Sequence, residues 1–313
     1  MNNLFSKIIS TGSYLPKKVL TNYDLEKLVD TSHDWIFERT GINQRCIADD
    51  NESSVDMAYR ASLIALERSG LNTQDIDMII VATTTPERIF PSSAVLLQNK
   101  LKIDDSFAFD INAACTGFIY ALDVADKYIK NNIVSNVLVV GTEKMSSIVD
   151  WSDRNTCVLF GDGAGACMVS SSDKPGIISS KIGSDGSYKD LLTVNPDTDF
   201  IEMKGNDVFK IAVNTMGKLA KETLISNDLS IDQIDWLIPH QANSRIINAI
   251  AKKLSLPTDK VIMTVGDHGN TSAASIPLAM DYAYNNNTLK KNDMILLEAF
   301  GAGFTWGSTL LKF

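Results

Sequence analysis

Three residues in this chain, each placed where a strand gives way to a helix, have the types and settings that chemistry needs. Cys115 follows the apolar run Phe107 to Ile111 and the small residues Asn112-Ala113-Ala114. Beyond it Phe118, Leu122, Ala125 and Ile129 recur at the period of an amphipathic helix. Asn112 reads as its N-cap, which places Cys115 in the first helical turn. Unpaired N–H groups and the helix dipole favour negative charge there, so the thiol is expected to titrate below its free value of about 8.5 and to act as a nucleophile. His240 follows the strand Trp236 to Ile238, just past the C-terminal end where α/β sites are built. Asn270 stands in His268-Gly269-Asn270-Thr271-Ser272, at the opening of another helix. Singly, each has a structural alternative: Cys115 as a small buried hydrophobe, His240 as a polar cap, Asn270 as an N-cap, His268 as a satisfied loop histidine. On three strand-to-helix turns they could converge on one nucleophilic site.

The elements that must position them alternate between strand and helix. Leu4 to Tyr14 reads as an opening strand, and Tyr23 to Val29 as a short helix capped by Thr21 or Asn22. In the stretch after it, Trp35 and Arg39 are four apart and share one side of a helix. Such a pair can clamp a flat ring, although a core anchor with a surface charge is the commoner meaning. A long helix from Ser53 to Ser69 ends at Gly70. The run Met78 to Val81 is too short for a helix and reads as a buried parallel strand, as does Val137 to Val140. The class is α/β.

The chain also repeats itself. Leu71-x4-Ile76-Asp77-x-Ile79-Ile80 recurs as Leu229-x4-Ile234-Asp235-x-Leu237-Ile238, an offset of 158 (229 − 71). Carried forward, the offset places Asn112 on Asn270 and Cys115 on Ala273, while Met294 to Leu297 matches Val137 to Val140 to within one residue. Duplication accounts for a shift held through strand, nucleophile turn and helix. Two halves are expected, residues 1–172 carrying the nucleophile and residues 173–313 carrying His240 and Asn270, packed as one pseudo-symmetric body.

Composition narrows the function. At 313 residues, 44% apolar and 21% charged, the chain reads as an ordinary soluble globular protein. A formal charge of −9 argues against nucleic acid as a partner. No apolar stretch approaches the roughly 18 residues of a membrane span, and Met1 to Leu15 lacks a secretory apolar core. Cys46, Cys115, Cys157 and Cys167 show no metal-like spacing. Free thiols in a reducing, cytoplasmic setting are expected, with no metal.

At these residues the chain resembles the thiolase superfamily, and within it the β-ketoacyl-acyl-carrier-protein synthase III family of condensing enzymes. The resemblance runs from the N-terminus to Phe313. Its most specific stretches begin with Asp34-Trp35-Ile36-x2-Arg39-Thr40-Gly41-Ile42, Asn112-Ala113-Ala114-Cys115-x-Gly117-Phe118 and Phe160-Gly161-Asp162-Gly163-Ala164-Gly165-Ala166. Pro239-His240-Gln241-Ala242-Asn243-x-Arg245-Ile246, His268-Gly269-Asn270-Thr271-Ser272-Ala273 and Gly303-Phe304-Thr305-Trp306-Gly307 complete the set. The elongating synthases carry histidine where Asn270 stands, so the Cys-His-Asn set sorts the chain with the initiating type.

The resemblance implies a thiolase-like αβαβα layered fold of two pseudo-symmetric halves, a homodimer, and the initiating condensation of type II fatty-acid synthesis. Cys115 would take an acyl group, expected to be acetyl, from acyl-coenzyme A as a thioester. Malonyl-acyl-carrier protein would then lose carbon dioxide, with the Asn270 amide and a neutral His240, protonated on Nε2, holding the enolate oxygen. The backbone N–H groups of Cys115 and Ala302 would form the oxyanion hole. Ala302 stands where many relatives show the middle of three glycines, and a non-glycine residue resists positive φ. Trp35 and Arg154 would sandwich the adenine of coenzyme A, with Arg39 near its phosphates. Phe90 would cross a dimer interface to close the partner's acyl pocket. Gly161 to Gly165 lacks the lysine and spacing of a phosphate loop and reads as a structural turn.

Arg245, Lys252 and Lys253 fall on one face of the helix after His240. With Gln241, Ala242, Asn243 and Ser244 they are expected to receive the acidic acyl-carrier protein. Neither cofactor nor metal is implied, acyl-coenzyme A being a substrate. The alternatives are a relative with the same three residues using another acyl donor or acceptor in polyketide or quinolone-type synthesis, a Cys-His thioester hydrolase, and a catalytically inactive scaffold.

Overall fold

The structure, a computed structural model, describes residues 4–313; the first three residues of the Met1 to Leu15 stretch lie outside the described residues. The chain opens with β1 (Phe5–Tyr14) and a ribbon of β2 (Lys18–Thr21) and β3 (Gln44–Ile47) flanking α1 (Asn22–Leu25) and α2 (His33–Thr40). It continues through α3 (Ser54–Ser69), β4 (Met78–Ala82), α4 (Ser93–Leu101), β5 (Phe107–Ile111), α5 (Gly117–Lys130), β6 (Asn136–Glu143), α6 (Arg154–Cys157) and β7 (Gly163–Ser172). Next come β8 (Ile177–Ser184), the hairpin of β9 (Leu192–Val194) and β10 (Ile201–Met203), α7 (Gly205–Ile225), β11 (Trp236–Pro239) and α8 (Ser244–Leu254). The last elements are α9 (Val265–His268), α10 (Ser275–Asn285), β12 (Met294–Gly301) and β13 (Thr305–Lys312).

Local sequence explains most boundaries. Ser53 and Asp56 form a capping box at the start of α3, and Gly70 ends the helix at φ 72°. Thr21 caps α1 in the same way. The expected parallel strands are present: β4 lies between β5 and β6 and is parallel to both, and every residue of β4 is buried.

Besides the two-stranded ribbons, two larger sheets result, one in the order β1-β7-β6-β4-β5 and the other β11-β12-β13-β8. Between them lie α5 and α10, whose Phe118, Leu122, Ile276 and Met280 share one buried cluster with strands of both sheets. The helices α3 and α4 cover the outer face of the first sheet, with Met57, Ala61 and Leu97 in their own cluster. The helices α7 and α8 cover the second, through Met216, Ala220, Ile247 and Ile250. Helix, sheet, helix, sheet, helix is the five-layered order expected.

The internal repeat is closer in the structure than in the sequence. Short 3₁₀ turns at Thr73–Asp75 and Ala114–Thr116 recur at Ile231–Gln233 and Ser272–Ala274, each shifted by 158 (231 − 73, 272 − 114). The strands β6 and β12 are related by the same shift at both ends (294 − 136, 301 − 143), so the one-residue slip suggested by the apolar runs is absent. Ala114 and Ser272, equivalent positions, both hold φ at 47°.

Candidate active site

The Cys115 turn differs from the expectation of a capped helix. A 3₁₀ turn precedes α5, which begins only at Gly117, and the left-handed Ala114 separates it from the strand. Asn112 therefore caps no helix; its Oδ1 accepts the N–H of Ala114 within the turn at 3.4 Å. The loop after β12 closes over this turn, and a Cβ built on Gly301 would stand 2.8 Å from the backbone nitrogen of Cys115. Only glycine allows that approach. The neighbouring Ala302 is not among the residues with positive φ; Gly303, at 130°, takes the unusual conformation instead. The alanine therefore sits there without backbone strain.

His240 stands where expected, one residue past β11, and is 5% exposed. Its backbone N–H donates to the carbonyl of Glu298 at 2.7 Å, and its Nδ1 lies 2.7 Å from Ser275 Oγ. That hydroxyl already accepts the N–H of Gln241 at 3.3 Å. If Ser275 gives its own proton to Nδ1, the hydrogen of a neutral ring stands on Nε2. Burial pushes His240 down to about 3, so the ring is neutral across the physiological range.

Asn270 is also buried, and its turn is fixed on both sides. Its Oδ1 accepts the Ser272 N–H at 2.9 Å, its backbone N–H donates to Leu159, and its carbonyl accepts the N–H of Gly161. With Oδ1 engaged, the amide nitrogen is the group presented to the site. His268 lies nearby on α9 with Nδ1 buried and unpartnered, edge-on to Tyr282 at 6.1 Å.

Cys115, His240 and Asn270 line one cavity of about 280 Å³, together with Phe300, and it opens past Trp35 and Arg39. The thiol is not the acid that the helix argument anticipates. Burial pushes it up to about 12, the Glu143 carboxylate adding to the rise while Ser272 and its own backbone N–H pull it back. Cys46 and Cys157 are also raised, to about 11, and Cys167 is raised by burial as well. Desolvation therefore outweighs the turn's dipole in the resting protein.

The outer residues divide. Arg39 and Arg154 both place their guanidinium carbons over the Trp35 ring, 4.4 and 4.7 Å from its centroid. Arg154 also donates to the carbonyl of Asp30 at 2.8 Å. Arg245, Lys252 and Lys253 are exposed on α8, and Lys253 donates to Asn214 at 2.7 Å. Asn243 caps α8, Ala242 lines the cavity, and Ser244 packs against Gly41. Gln241 cannot meet a partner's surface. It is 1% exposed, with its side chain bonded to Pro239, Ile262, Thr264 and Val265 backbone groups. Its task is to hold the His240 loop. Phe90 and Ile89 lie outside the cavity, 82% and 93% exposed. The Gly161 turn is structural, as expected: a Cβ there would meet the His268 carbonyl at 2.6 Å.

Comparison with known proteins decides the family. A family model described as 3-oxoacyl-[acyl-carrier-protein (ACP)] synthase III matches residues 109–186, and the model of its C-terminal region matches residues 224–313. A beta-ketoacyl-[acyl-carrier-protein] synthase III of Thioalkalivibrio sulfidiphilus is 53% identical, with 99% of each chain covered. The chain belongs to the β-ketoacyl-acyl-carrier-protein synthase III family. The crystal structure of a 3-oxoacyl-[acyl-carrier-protein] synthase III from Aquifex aeolicus superposes with a TM-score of 0.97 at 49% identity, covering 98% of this chain and all of that one. A priming β-ketosynthase of a polyketide pathway superposes at 0.94 with 34% identity, covering 98% of this chain and 96% of its own. As a synthase III the chain is an acyltransferase of the condensing type.

The sequence reading missed two contributors. Ser275 was within reach of it, being the repeat equivalent of Gly117 (275 − 158) and so the point where the second half departs from the first. Glu143 carried no signal, because its burial is a tertiary property.

Proposed function

We propose that this synthase III starts fatty-acid chains, with Cys115 as the nucleophile and His240 and Asn270 as the donors to the enolate. The observation that carries this reading is that a thiol, a neutral imidazole and a free amide line one cavity, whose wall also includes Trp35 and Arg39. Cys115 attacks the carbonyl of acyl-coenzyme A, releasing coenzyme A and leaving a thioester on the enzyme. Malonyl-acyl-carrier protein then enters the same cavity and loses carbon dioxide. The enolate oxygen is held by the Nε2–H of His240 and the amide of Asn270. Its carbon attacks the Cys115 thioester, and the tetrahedral oxyanion rests on the backbone N–H groups of Cys115 and Ala302. Collapse releases 3-oxoacyl-acyl-carrier protein and restores the thiol. Every step uses side chains and backbone of this chain.

The adenine of coenzyme A is assigned to Trp35 and Arg154, with Arg39 toward the phosphates. In the present stack Arg154 lies directly on Trp35, so entry of the ring requires that guanidinium to lift. Arg245, Lys252 and Lys253 are assigned to the acidic carrier, with Ala242, Asn243 and Ser244 at the cavity mouth. The exposure of Phe90 and Ile89 supports a homodimer in which Phe90 closes the partner's acyl pocket. No helix of the described residues is long and apolar enough to cross a membrane. The four free cysteines support a reducing compartment, and we assign the enzyme to the cytoplasm.

Separate assay of the two half-reactions tests the roles. Cys115→Ala abolishes acyl transfer while leaving malonyl decarboxylation measurable. His240→Ala and Asn270→Ala leave Cys115 able to acylate and lower condensation about 10²–10³-fold for each donor lost. Normal condensation by either donor variant sinks the assignment. A screen of acyl-coenzyme A primers, with products read by mass, fixes the primer and separates fatty-acid from polyketide or quinolone-type use.

A further inference from the structure

Arg45, on β3, is buried completely, and the partners of its guanidinium are neutral acceptors. Nη1 donates to the Leu20 carbonyl at 3.2 Å and to Asn22 Oδ1 at 3.0 Å, and Nη2 donates to the Val158 carbonyl at 2.7 Å. Burial lowers its pKa to about 10, which leaves it a cation near neutral pH. Desolvating a cation among neutral partners is costly, and what the protein gains in return is three donor bonds directed from one rigid plane. Val158 is the C-cap of α6, so Nη2 meets a carbonyl at a helix end where positive charge is favoured.

We propose that Arg45 is a positioning residue for Asn270, acting through the segment 158–161. That segment runs beside Asn270 as an isolated parallel bridge between Phe160 and Asn270. The Leu159 carbonyl accepts the Asn270 N–H at 2.8 Å, and the Gly161 N–H donates to the Asn270 carbonyl at 3.0 Å. Arg45 grips the residue just before this pairing through Nη2, and its stem is wedged against the pairing itself. A Cβ built on Gly161 would stand 2.9 Å from the Arg45 Cβ, and one built on Gly269 would stand 3.0 Å from it. The backbone on both sides of the bridge thus rests on one side chain, and the place of the Asn270 amide in the cavity follows from it. Val158, Leu159 and Phe160 line that cavity with Asn270. The guanidinium also holds Asn22, whose Nδ2 donates to the Ile42 carbonyl at 2.7 Å, just beyond the helix that carries Trp35 and Arg39. One buried cation therefore anchors both the α2 end and the Asn270 turn.

This inference rests on Asn270 being an enolate donor, and a double-mutant cycle separates the two claims. Each enzyme is acylated beforehand with saturating acyl-coenzyme A. Release of carbon dioxide from malonyl-acyl-carrier protein is then measured per acylated Cys115, which removes any unfolded fraction from the comparison. The set is the wild type, Arg45→Lys, Asn270→Ala and the double variant. Arg45→Lys keeps the charge and loses the fork. It is expected to lower decarboxylation about tenfold, as a displaced reacting group does, with the burst of coenzyme A unchanged. In the Asn270→Ala background the same substitution is expected to cost nothing further. Wild-type decarboxylation by Asn270→Ala sinks the donor reading and the proposal with it. Wild-type decarboxylation by Arg45→Lys, an equal loss in both backgrounds, or a burst that falls as far as decarboxylation overturns the proposal alone. If Arg45→Lys does not fold, Asn22→Ala decides, since it takes one of the three acceptors and leaves the other two. The same pattern at about threefold is expected there, and no loss of decarboxylation overturns the proposal.

Discussion

Ser275→Ala tests whether the tautomer of His240 is set by a single hydrogen bond. The Ser275 hydroxyl is the partner of Nδ1, at 2.7 Å, in a histidine only 5% exposed. Removing it leaves a buried nitrogen unpaired, which costs about 1–3 kcal/mol, and takes one acceptor from the Gln241 N–H as well. The neutral ring then has no reason to keep its hydrogen on Nε2, and the enolate loses a donor in a share of the molecules. A loss of about 1.4–2.7 kcal/mol in the transition state is about 10–100-fold in rate. The loss falls on one half-reaction only, because acylation of Cys115 does not use the enolate donors. The assay is release of labelled carbon dioxide from malonyl-acyl-carrier protein by enzyme acylated beforehand, beside the burst of coenzyme A from acyl-coenzyme A alone. Decarboxylation and condensation should fall together while the burst is unchanged. Wild-type decarboxylation would refute the reasoning, and an equal fall in both half-reactions would make Ser275 a fold residue only.

Two further outcomes follow from the surface and the loop. Arg245→Glu should raise KM for malonyl-acyl-carrier protein with little change in acylation by acyl-coenzyme A, and the defect should shrink as salt rises, because charge reversal chiefly slows encounter; steady-state kinetics at low and high ionic strength read this. Gly301→Ala places a Cβ 2.8 Å from the Cys115 nitrogen and should lower stability by about 1–3 kcal/mol and displace the nucleophile turn, reducing both half-reactions in thermal melts and burst assays.

Much of the frame was legible because it is written locally. The β-branched run of β4 and the Ser53 and Gly70 signals around α3 act over a few residues, and the structure keeps them nearly residue for residue. The Asn112 turn was misread because a capping residue and an Asx-type turn use the same side chain. The choice between them was made by the left-handed Ala114. The Cys115 thiol was misjudged for a different reason. A helix end can be inferred from sequence, but the desolvation that opposes it is the work of β12 and its Gly301 loop, distant in the chain. Gln241 looked like part of a surface motif, and only the packing of four backbone groups around its amide reveals an interior role.

The repeat gives these particulars a common cause. His240 is the equivalent of Ala82 (240 − 158), and Ser275 that of Gly117. In the first half those two positions touch, a Cβ on Gly117 lying 3.1 Å from that of Ala82, with no chemistry in the contact. In the second half the same pair is an imidazole and the hydroxyl that orders it. The reverse holds for Cys115, whose equivalent is the inert Ala273, and for Glu143, whose equivalent is Gly301. At these four positions each half is small where the other is reactive, Asn270 and its equivalent Asn112 being the exception, and the smallness is itself required. Gly301 leaves room for the Cys115 turn, and Ala273 lies 3.6 Å from a Cβ placed on Gly117. The proposed nucleophile and enolate donors thus come from different halves and meet only across the layer of α5 and α10. A substitution that loosens that layer, even far from the cavity, should therefore damage condensation, which needs both halves in register, more than acylation, which leans chiefly on the first.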